Sequence, residues 1–220
     1  NVTNVPNATI PTDYIVCDSD IDGDDNNGES LFLLSNKDLE ILGGLDGTRY
    51  NLTYHLSQND ADLGRNAINK NTPFSSGSVT IYTRLQNNQN STCTDTSVSF
   101  NLIVNLLPDL LQDEFNQTDC DNDGLDGADF KDLEDFIPVF VSDPIKYDIS
   151  YHQTRATAEL GTEAINNPKN YYATTETIYY RFVNKTSGCF RIAKLNITML
   201  SSDVSNTIEP TYPIGIDVEV

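Results

Sequence analysis

The densest chemistry in the chain is a run of carboxylates that begins one residue after a cysteine. Asp18, Asp20, Asp22 and Gly23, followed by Asp24 and Glu29, reproduce the D-x-D-x-D-G-x5-E spacing of a calcium loop. Oxygens at alternate positions can converge on one hard cation, the glycine permits a sharp turn, and the final glutamate can close the shell with both oxygens. A backbone carbonyl near Asp24 can add a further ligand. Asp25 stands where a helix–loop–helix motif carries an apolar residue, and no helical pattern leads into the loop. The spacing therefore argues for the loop chemistry without that fold. A second run follows Cys120, with Asp121, Asp123, Asp126 and Asp129 around Gly124 and Gly127. It is shorter and lacks a closing glutamate, so a site there would recruit Asp119 or Asp129. The expected cofactor is calcium, and the first loop has the stronger case. The alternative is a solvated acidic turn, because Asp-Gly pairs form turns readily.

The charge balance is lopsided in the same places. The chain of 220 residues has 33 acidic and 13 basic side chains, for a net charge of −20. Residues 17–29 hold 6 of those acids and residues 113–135 hold 10, a crowding that calls for counter-ions. Such a charge excludes nucleic acid as a partner, since phosphates would be repelled. No apolar run approaches the roughly 20 residues needed to span a bilayer, so membrane insertion is not expected.

Four cysteines, Cys17, Cys93, Cys120 and Cys189, fall two to each half of the chain. An even count in an acidic, extracellular-looking sequence points to disulfides, against the alternative of buried thiols. Zinc is disfavoured because there is no Cys-x-x-Cys pair and His55 and His152 lie far from any cysteine.

The halves are copies of one another. Leu63-Gly64 and Ala67-Ile68-Asn69 recur as Leu160-Gly161 and Ala164-Ile165-Asn166, 97 residues on. The same offset relates Tyr54-His55 to Tyr151-His152, and Ile81-Tyr82 with Arg84 to Ile178-Tyr179 with Arg181. Lys37-Asp38-Leu39-Glu40 recurs as Lys131-Asp132-Leu133-Glu134, and Cys93 as Cys189. This places repeats at residues 6–107 and 108–209. Residues 1–5 read as the end of a preceding repeat and 210–220 as the start of a following one, with a further cysteine expected next. The duplication also selects Cys17–Cys93 and Cys120–Cys189 as the expected bridges, one within each repeat. Each would contribute about 4 kcal/mol in the chain-entropy account.

The elements that must carry these residues are strands. Tyr50, Leu52, Tyr54 and Leu56 alternate with Asn51, Thr53 and His55, and Tyr147, Ile149 and Tyr151 alternate with Asp148, Ser150 and His152. Val98, Phe100, Leu102 and Val104 share a face, as do Ala193, Leu195, Ile197 and Met199. Short strands at this density predict an all-β fold of two tandem immunoglobulin-like β-sandwich domains. A short helical turn is expected in each, capped by Ser35 and ended by Gly43-Gly44 in the first and stopped by Pro138 in the second. Residues 57–64 are expected to form another turn. His55 and His152 are expected on the outer faces of their strands with no nucleophile nearby. Arg84 and Arg181 are expected to pack over Tyr82 and Tyr179.

The order of cysteine, acidic loop, Lys-Asp-Leu-Glu turn, Tyr-His strand, Leu-Gly turn, Ile-Tyr-x-Arg strand and second cysteine resembles the tandem repeats of very large flavobacterial (Bacteroidota) surface adhesins. Those proteins are exported by the type IX secretion system, and some are gliding-motility adhesins. The resemblance implies a secreted, non-catalytic segment of a cell-surface filament, with neighbouring repeats of the same chain as its partners. A calcium-stiffened stalk follows if the acidic loops are occupied. Two other readings remain open at this point. One is a module binding surface glycans or other cells, which needs an exposed aromatic platform. The other is a fibre subunit whose end strand completes the next chain's sheet.

Overall fold

The computed structural model describes residues 5–121 and 126–200, with Asp22 described in its backbone only. The first copy contributes β1 (Tyr14–Cys17), β2 (Ser30–Phe32), β3 (Tyr50–His55), β4 (Phe74–Ser76), β5 (Val79–Asn87), β6 (Asn90–Asp95) and β7 (Ser99–Asn105). Its main sheet has the order β1-β7-β5-β3, with β6 also paired to β5. A ribbon of β2 and β4 forms the second layer. The first strand runs parallel to the last, and β3, β5 and β7 are antiparallel neighbours. β6 and β7 each pair with β5 and follow one another along it, and the β5–β6 pairing has a register shift between Gln86 and Asn87. This is the immunoglobulin-like arrangement expected from the alternation.

The second copy repeats it with β8 (Glu114–Cys120), β9 (Asp129–Lys131), β10 (Tyr147–His152), β11 (Tyr171–Ala173), β12 (Glu176–Asn184) and β13 (Phe190–Leu200). The main sheet is β10-β12-β13-β8, the ribbon is β9 with β11, and β8 runs parallel to β13. By compactness, residues 5–109, 145–148 and 182–191 form one unit, and the other described residues form a second.

Period-two burial makes the cores. Phe32, Leu34 and Ile41 pack with Leu52, Tyr54, Ile81, Leu85, Phe100 and Leu102 between the layers of the first copy. In the second, Leu133, Phe140, Tyr151, Ile178, Tyr180, Leu195 and Ile197 are buried. The short helices are α1 (Asp38–Leu42), α2 (Gln58–Leu63), α3 (Ile137–Phe140) and α4 (Arg155–Leu160). Ser35 lies inside the 3-10 turn that precedes α1 and does not cap it; Gly43 ends α1 in the left-handed region. Pro138 sits in the first turn of α3, where its missing N–H costs nothing, so it starts that helix instead of stopping it. Leu56 is 51% exposed, because β3 ends at His55 and the alternation ends with it.

The two histidines are fully buried, contrary to the outward placement expected of them. They do lie on the opposite side of their strands from Tyr54 and Tyr151, but a helix covers that side. Ser57 and Thr154 accept hydrogen bonds from the third residues of α2 and α4, and Gly64 and Gly161 close them at φ 63° and 65°. Behind each helix the chain returns to the strand through Ile68 N donating to Tyr54 O and Ile165 N donating to Tyr151 O, each at 2.8 Å. Each imidazole is then enclosed. Nδ1 meets a backbone carbonyl, Arg65 O at 2.7 Å or Thr162 O at 2.9 Å. Nε2 meets a hydroxyl two residues back, Thr53 at 2.9 Å or Ser150 at 2.8 Å. The carbonyl can only accept, so Nδ1 carries a proton and donates to it.

Arg84 and Arg181 lie on the same covered side. Arg84 Nη1 donates to Ala61 O at 3.0 Å and Asp62 O at 2.9 Å, and Arg181 Nη1 donates to Ala158 O at 3.2 Å. They satisfy carbonyls at the ends of α2 and α4.

Burial, with Arg181 nearby, holds the His152 imidazolium below its ordinary pKa, despite the bond to Thr162 O. The folded state therefore favours neutral His152, and its contribution is complete above the unfolded value of about 6.5. It is lost as pH falls through the lower folded value. Urea denaturation at pH 7.5, 6.5 and 5.5 is expected to show falling stability, with a smaller fall in His152→Gln. An identical pH profile in the variant contradicts this assignment.

Candidate functional site

The structure joins Cys17 to Cys189, 172 residues apart in sequence, with their Cα atoms 5.6 Å apart. The expected bridges Cys17–Cys93 and Cys120–Cys189 are both replaced; Cys93 and Cys120 enter no disulfide. Register explains the geometry. β1 pairs with β7 so that Cys17 stands opposite Asn105, and Asp18 N donates to Asn105 O at 2.8 Å. Cys189 closes the turn that follows β12. Asn184 Oδ1 accepts from Thr186 N and Ser187 N, Gly188 N donates to Asn184 O, and Asn184 N donates to Cys189 O at 2.8 Å. That turn belongs to the same compact unit as Cys17, and Cys189 Sγ lies 3.9 Å from Asn105 O. A crosslink closing a loop of this length stabilises by about 5 kcal/mol in the chain-entropy account, before native strain is counted.

A charge pair stands beside the bond. Arg191 Nη2 lies 2.9 Å from Asp25 Oδ1 and donates to Asp25 O at 3.3 Å. Neither residue figured among the expected site residues. The signal was present as an arginine two positions after Cys189 and an excess of acid after Cys17, but it becomes readable only once those cysteines are known to pair.

The carboxylates of the first loop separate into different roles. Asp18 is buried at the base, where Oδ1 accepts from Ser19 N and Oδ2 from Gly28 N, both at 2.8 Å. It ties the two ends of the loop together, and Gly28 meets it at φ 74°. Asp24 Oδ1 accepts from Asn26 N within a local turn. Asp20, Asp24 and Glu29 are exposed, and the side chain of Asp22 lies outside the described residues.

The second loop is braced in the same way. Asp121 is buried, and its Oδ2 accepts from Asp126 N at 3.2 Å and Gly127 N at 2.8 Å. Asp126 accepts from Ala128 N and from the Tyr172 hydroxyl. Lys131 Nζ lies 3.0 Å from Asp119 and 3.3 Å from Asp129, so an ammonium neutralises the two acids expected to complete this site. Asp123 lies outside the described residues. Among the described residues no three His, Cys, Asp or Glu side chains gather into a metal-holding group. Each loop is closed at its base by one buried carboxylate, Asp18 or Asp121, that accepts a glycine amide.

An exposed aromatic pair, Phe130 and Tyr172, lies on the ribbon of the second copy with ring centroids 5.0 Å apart. The paired positions on the first ribbon are Leu31 and Ser75, so the platform is not shared between the copies. Among the described residues no helix is long and apolar enough to cross a membrane.

The fold and the bond together define a class: tandem immunoglobulin-like β-sandwich repeats with a disulfide running from one copy to the next. The chain belongs to the Flavobacterium inter-domain disulphide bond domain family, which matches it twice, at residues 13–108 and 116–203. No protein of curated function matches it. Among solved structures, it is similar at 8% identity to immunoglobulin domains 1–4 of Sidekick-1, over 87% of this chain and 46% of that one, with a TM-score of 0.27. Extracellular cadherin domains 1–4 of protocadherin gamma B7 give 8% identity, 88% and 50% coverage and a TM-score of 0.21. Domains 1–3 of mouse PcdhgC3 give 12%, 88%, 68% and 0.23. The chain spans about half the length of the first two.

If Asp18 braces the loop, Asp18→Ala strands two amide donors and is expected to cost about 1–3 kcal/mol. Asp20→Ala, at an exposed position, is expected to stay within about 0.5 kcal/mol. Chemical denaturation of both variants measures the difference, and equal costs contradict the brace.

Proposed function

We propose that this chain is a non-catalytic structural segment of a secreted cell-surface protein of the adhesin kind, whose repeats are covalently stapled into an extended, load-bearing stalk. The observation that supports this most is the Cys17–Cys189 bond. Each copy already has a main sheet, a ribbon and a core of its own, so a bond from one copy to the other adds nothing that a single copy needs in order to close. What it does is limit how far the tandem can be drawn apart. A disulfide suits an oxidising, extracellular compartment. The resemblance to flavobacterial surface adhesins supplies the setting, with export by the type IX system and a place among gliding-motility adhesins as the finer part of the reading.

Single-molecule pulling on the two ends of the chain tests the load path. With the bond intact, residues 18–188 are held out of the extension. Reductant is expected to lengthen the fully unfolded contour by about 600 Å, at up to about 3.6 Å per residue. An unchanged contour length removes the staple, and the stalk reading with it.

Calcium stiffening of the first loop is a separate part of the proposal. It is supported by the spacing of Asp18, Asp20, Asp22, Asp24 and Glu29. Asp18 already accepts two amides, so the other carboxylates would have to draw together around the ion. Millimolar calcium is expected to raise the melting temperature relative to EDTA, and Asp20→Asn combined with Glu29→Gln to abolish the rise. Superposable melting curves in calcium and EDTA remove the metal and leave the staple untouched.

A further inference from the structure

The buried aspartate at the base of each loop holds the amide of a glycine that follows an asparagine or an aspartate. Asn27-Gly28 is the only Asn-Gly pair in the chain, and Gly28 N donates to Asp18 Oδ2 at 2.8 Å. Asp126-Gly127 takes the same place in the second copy, where Gly127 N donates to Asp121 Oδ2 at 2.8 Å. Both glycines are left-handed, at φ 74° and 70°. In both pairs the preceding side chain turns back on the main chain. Asn27 Oδ1 accepts from Glu29 N at 2.8 Å, and Asp126 Oδ1 from Ala128 N at 3.2 Å. Asn27 and Asp126 are exposed, whereas Asp18 and Asp121 are buried. A further pair, Asp46-Gly47, makes the same turn with Thr48 N at 3.0 Å, but among the described residues no carboxylate holds the Gly47 amide.

At such a pair the main chain can attack its own side chain. The glycine nitrogen can approach the side-chain carbonyl carbon of the residue before it, because no Cβ stands in the way. It must first give up its proton and swing toward that carbon. At Gly28 and Gly127 the proton is committed to a buried carboxylate. The negative charge beside it opposes the amide anion that attack requires. Asn27 Oδ1 is anchored on Glu29 N as well. Cyclisation therefore waits on local opening of the loop.

We propose that Asn27-Gly28 is a deamidation site guarded by Asp18, and that Asp126-Gly127 is an isomerisation site guarded by Asp121. When the first loop opens, water takes the Gly28 amide proton and the nitrogen attacks Asn27 Cγ. The bond from Cγ to the side-chain nitrogen breaks, and that nitrogen leaves as ammonia with a proton returned to it. Water then opens the succinimide at either carbonyl, leaving aspartate or isoaspartate. One water is consumed and one ammonia released, and nothing is oxidised or reduced. At Asp126 the same ring forms with loss of one water and reopens with uptake of another. The isoaspartyl product places one more methylene in the main chain. Gly28 N then loses its register with Asp18, and the loop cannot reclose as before. Deamidation also adds a carboxylate two residues from Asp25, the partner of Arg191. The loop thus keeps a one-way record of having opened, and the second copy already carries at Asp126 the acid that Asn27 becomes. The proposal concerns the loops alone and holds with or without the stalk reading.

The test incubates the oxidised chain in warm, mildly alkaline buffer with EDTA, beside a sample reduced and held unfolded in urea. Mass spectrometry of proteolytic peptides follows deamidation at Asn27, and enzymatic methylation of the same digests follows isoaspartate at Asp126 and Asp46. The folded chain is expected to deamidate at Asn27 at least about tenfold more slowly than the unfolded one. Isoaspartate at Asp126 is expected to lag behind that at unguarded Asp46. Asp18→Ala, with the Cys17–Cys189 bond intact, is expected to speed reaction at Asn27 by about tenfold or more and leave Asp126 unchanged. Asp121→Ala is expected to do the reverse. Asn27 reacting as fast in the folded chain as in urea overturns the inference, as does an Asp18→Ala chain that keeps the bond and reacts no faster. Acceleration of both sites by either variant marks general loosening and overturns the guard too. If Asp18→Ala does not fold, the wild-type lag of Asp126 behind Asp46 decides, and equal rates at those two positions overturn the proposal.

Discussion

A covalent bond that closes a loop of 172 residues acts mainly on the unfolded chain. The loop between Cys17 and Cys189 contains nearly every strand of both copies, from β2 to β12. If one copy unfolds alone, its residues remain inside a closed loop whose ends are still fixed. It gains less entropy than a free chain of the same length. The crosslink thus opposes the loss of either copy, whichever is weaker. Its own position depends on little: the parallel pairing of β1 with β7 places one sulfur, and the Asn184–Cys189 turn places the other.

Each copy brings its own internal supports, and these repeat almost atom for atom. A strand ends in histidine, a one-and-a-half-turn helix folds back over it, and an arginine from the adjacent strand takes the helix's last carbonyls. The left-handed glycine after the helix is tied to this arrangement. A Cβ at Gly64 or Gly161 would stand 3.2 Å from the Nε of Arg84 or Arg181, besides straining the backbone. Histidine, helix cap, glycine and arginine form one device that seals the outer face of the main sheet. Without it, polar groups on that face would need water in place of one another.

The sheets were legible in the sequence because their signal is local. Alternation at Val98–Val104 and Ala193–Met199 needs only one strand and one buried face, and the duplication confirms it by repetition. The histidines were misjudged because period two says which side of a strand a residue takes and says nothing of what lies over that side. Pro138 was misjudged because a proline marks a helix boundary without saying which one, and the 3-10 turn ahead of α3 has no signature strong enough to decide. The cysteine pairing failed for a topological reason. Equivalence between copies establishes that Cys17 resembles Cys120 and Cys93 resembles Cys189. A ladder running from copy to copy satisfies it as fully as bridges closed within each copy do. Only the placement of the turn after β12 distinguishes them.

The acidic loops gain a further meaning from their position beside the cysteines. Crowded carboxylates need counter-ions, and Lys131 and Arg191 supply part of that need directly. At the base of each loop the need is met by the backbone: Asp18 and Asp121 are buried and accept the amides of Gly28 and Gly127, so each loop is drawn shut by the carboxylate it must shelter.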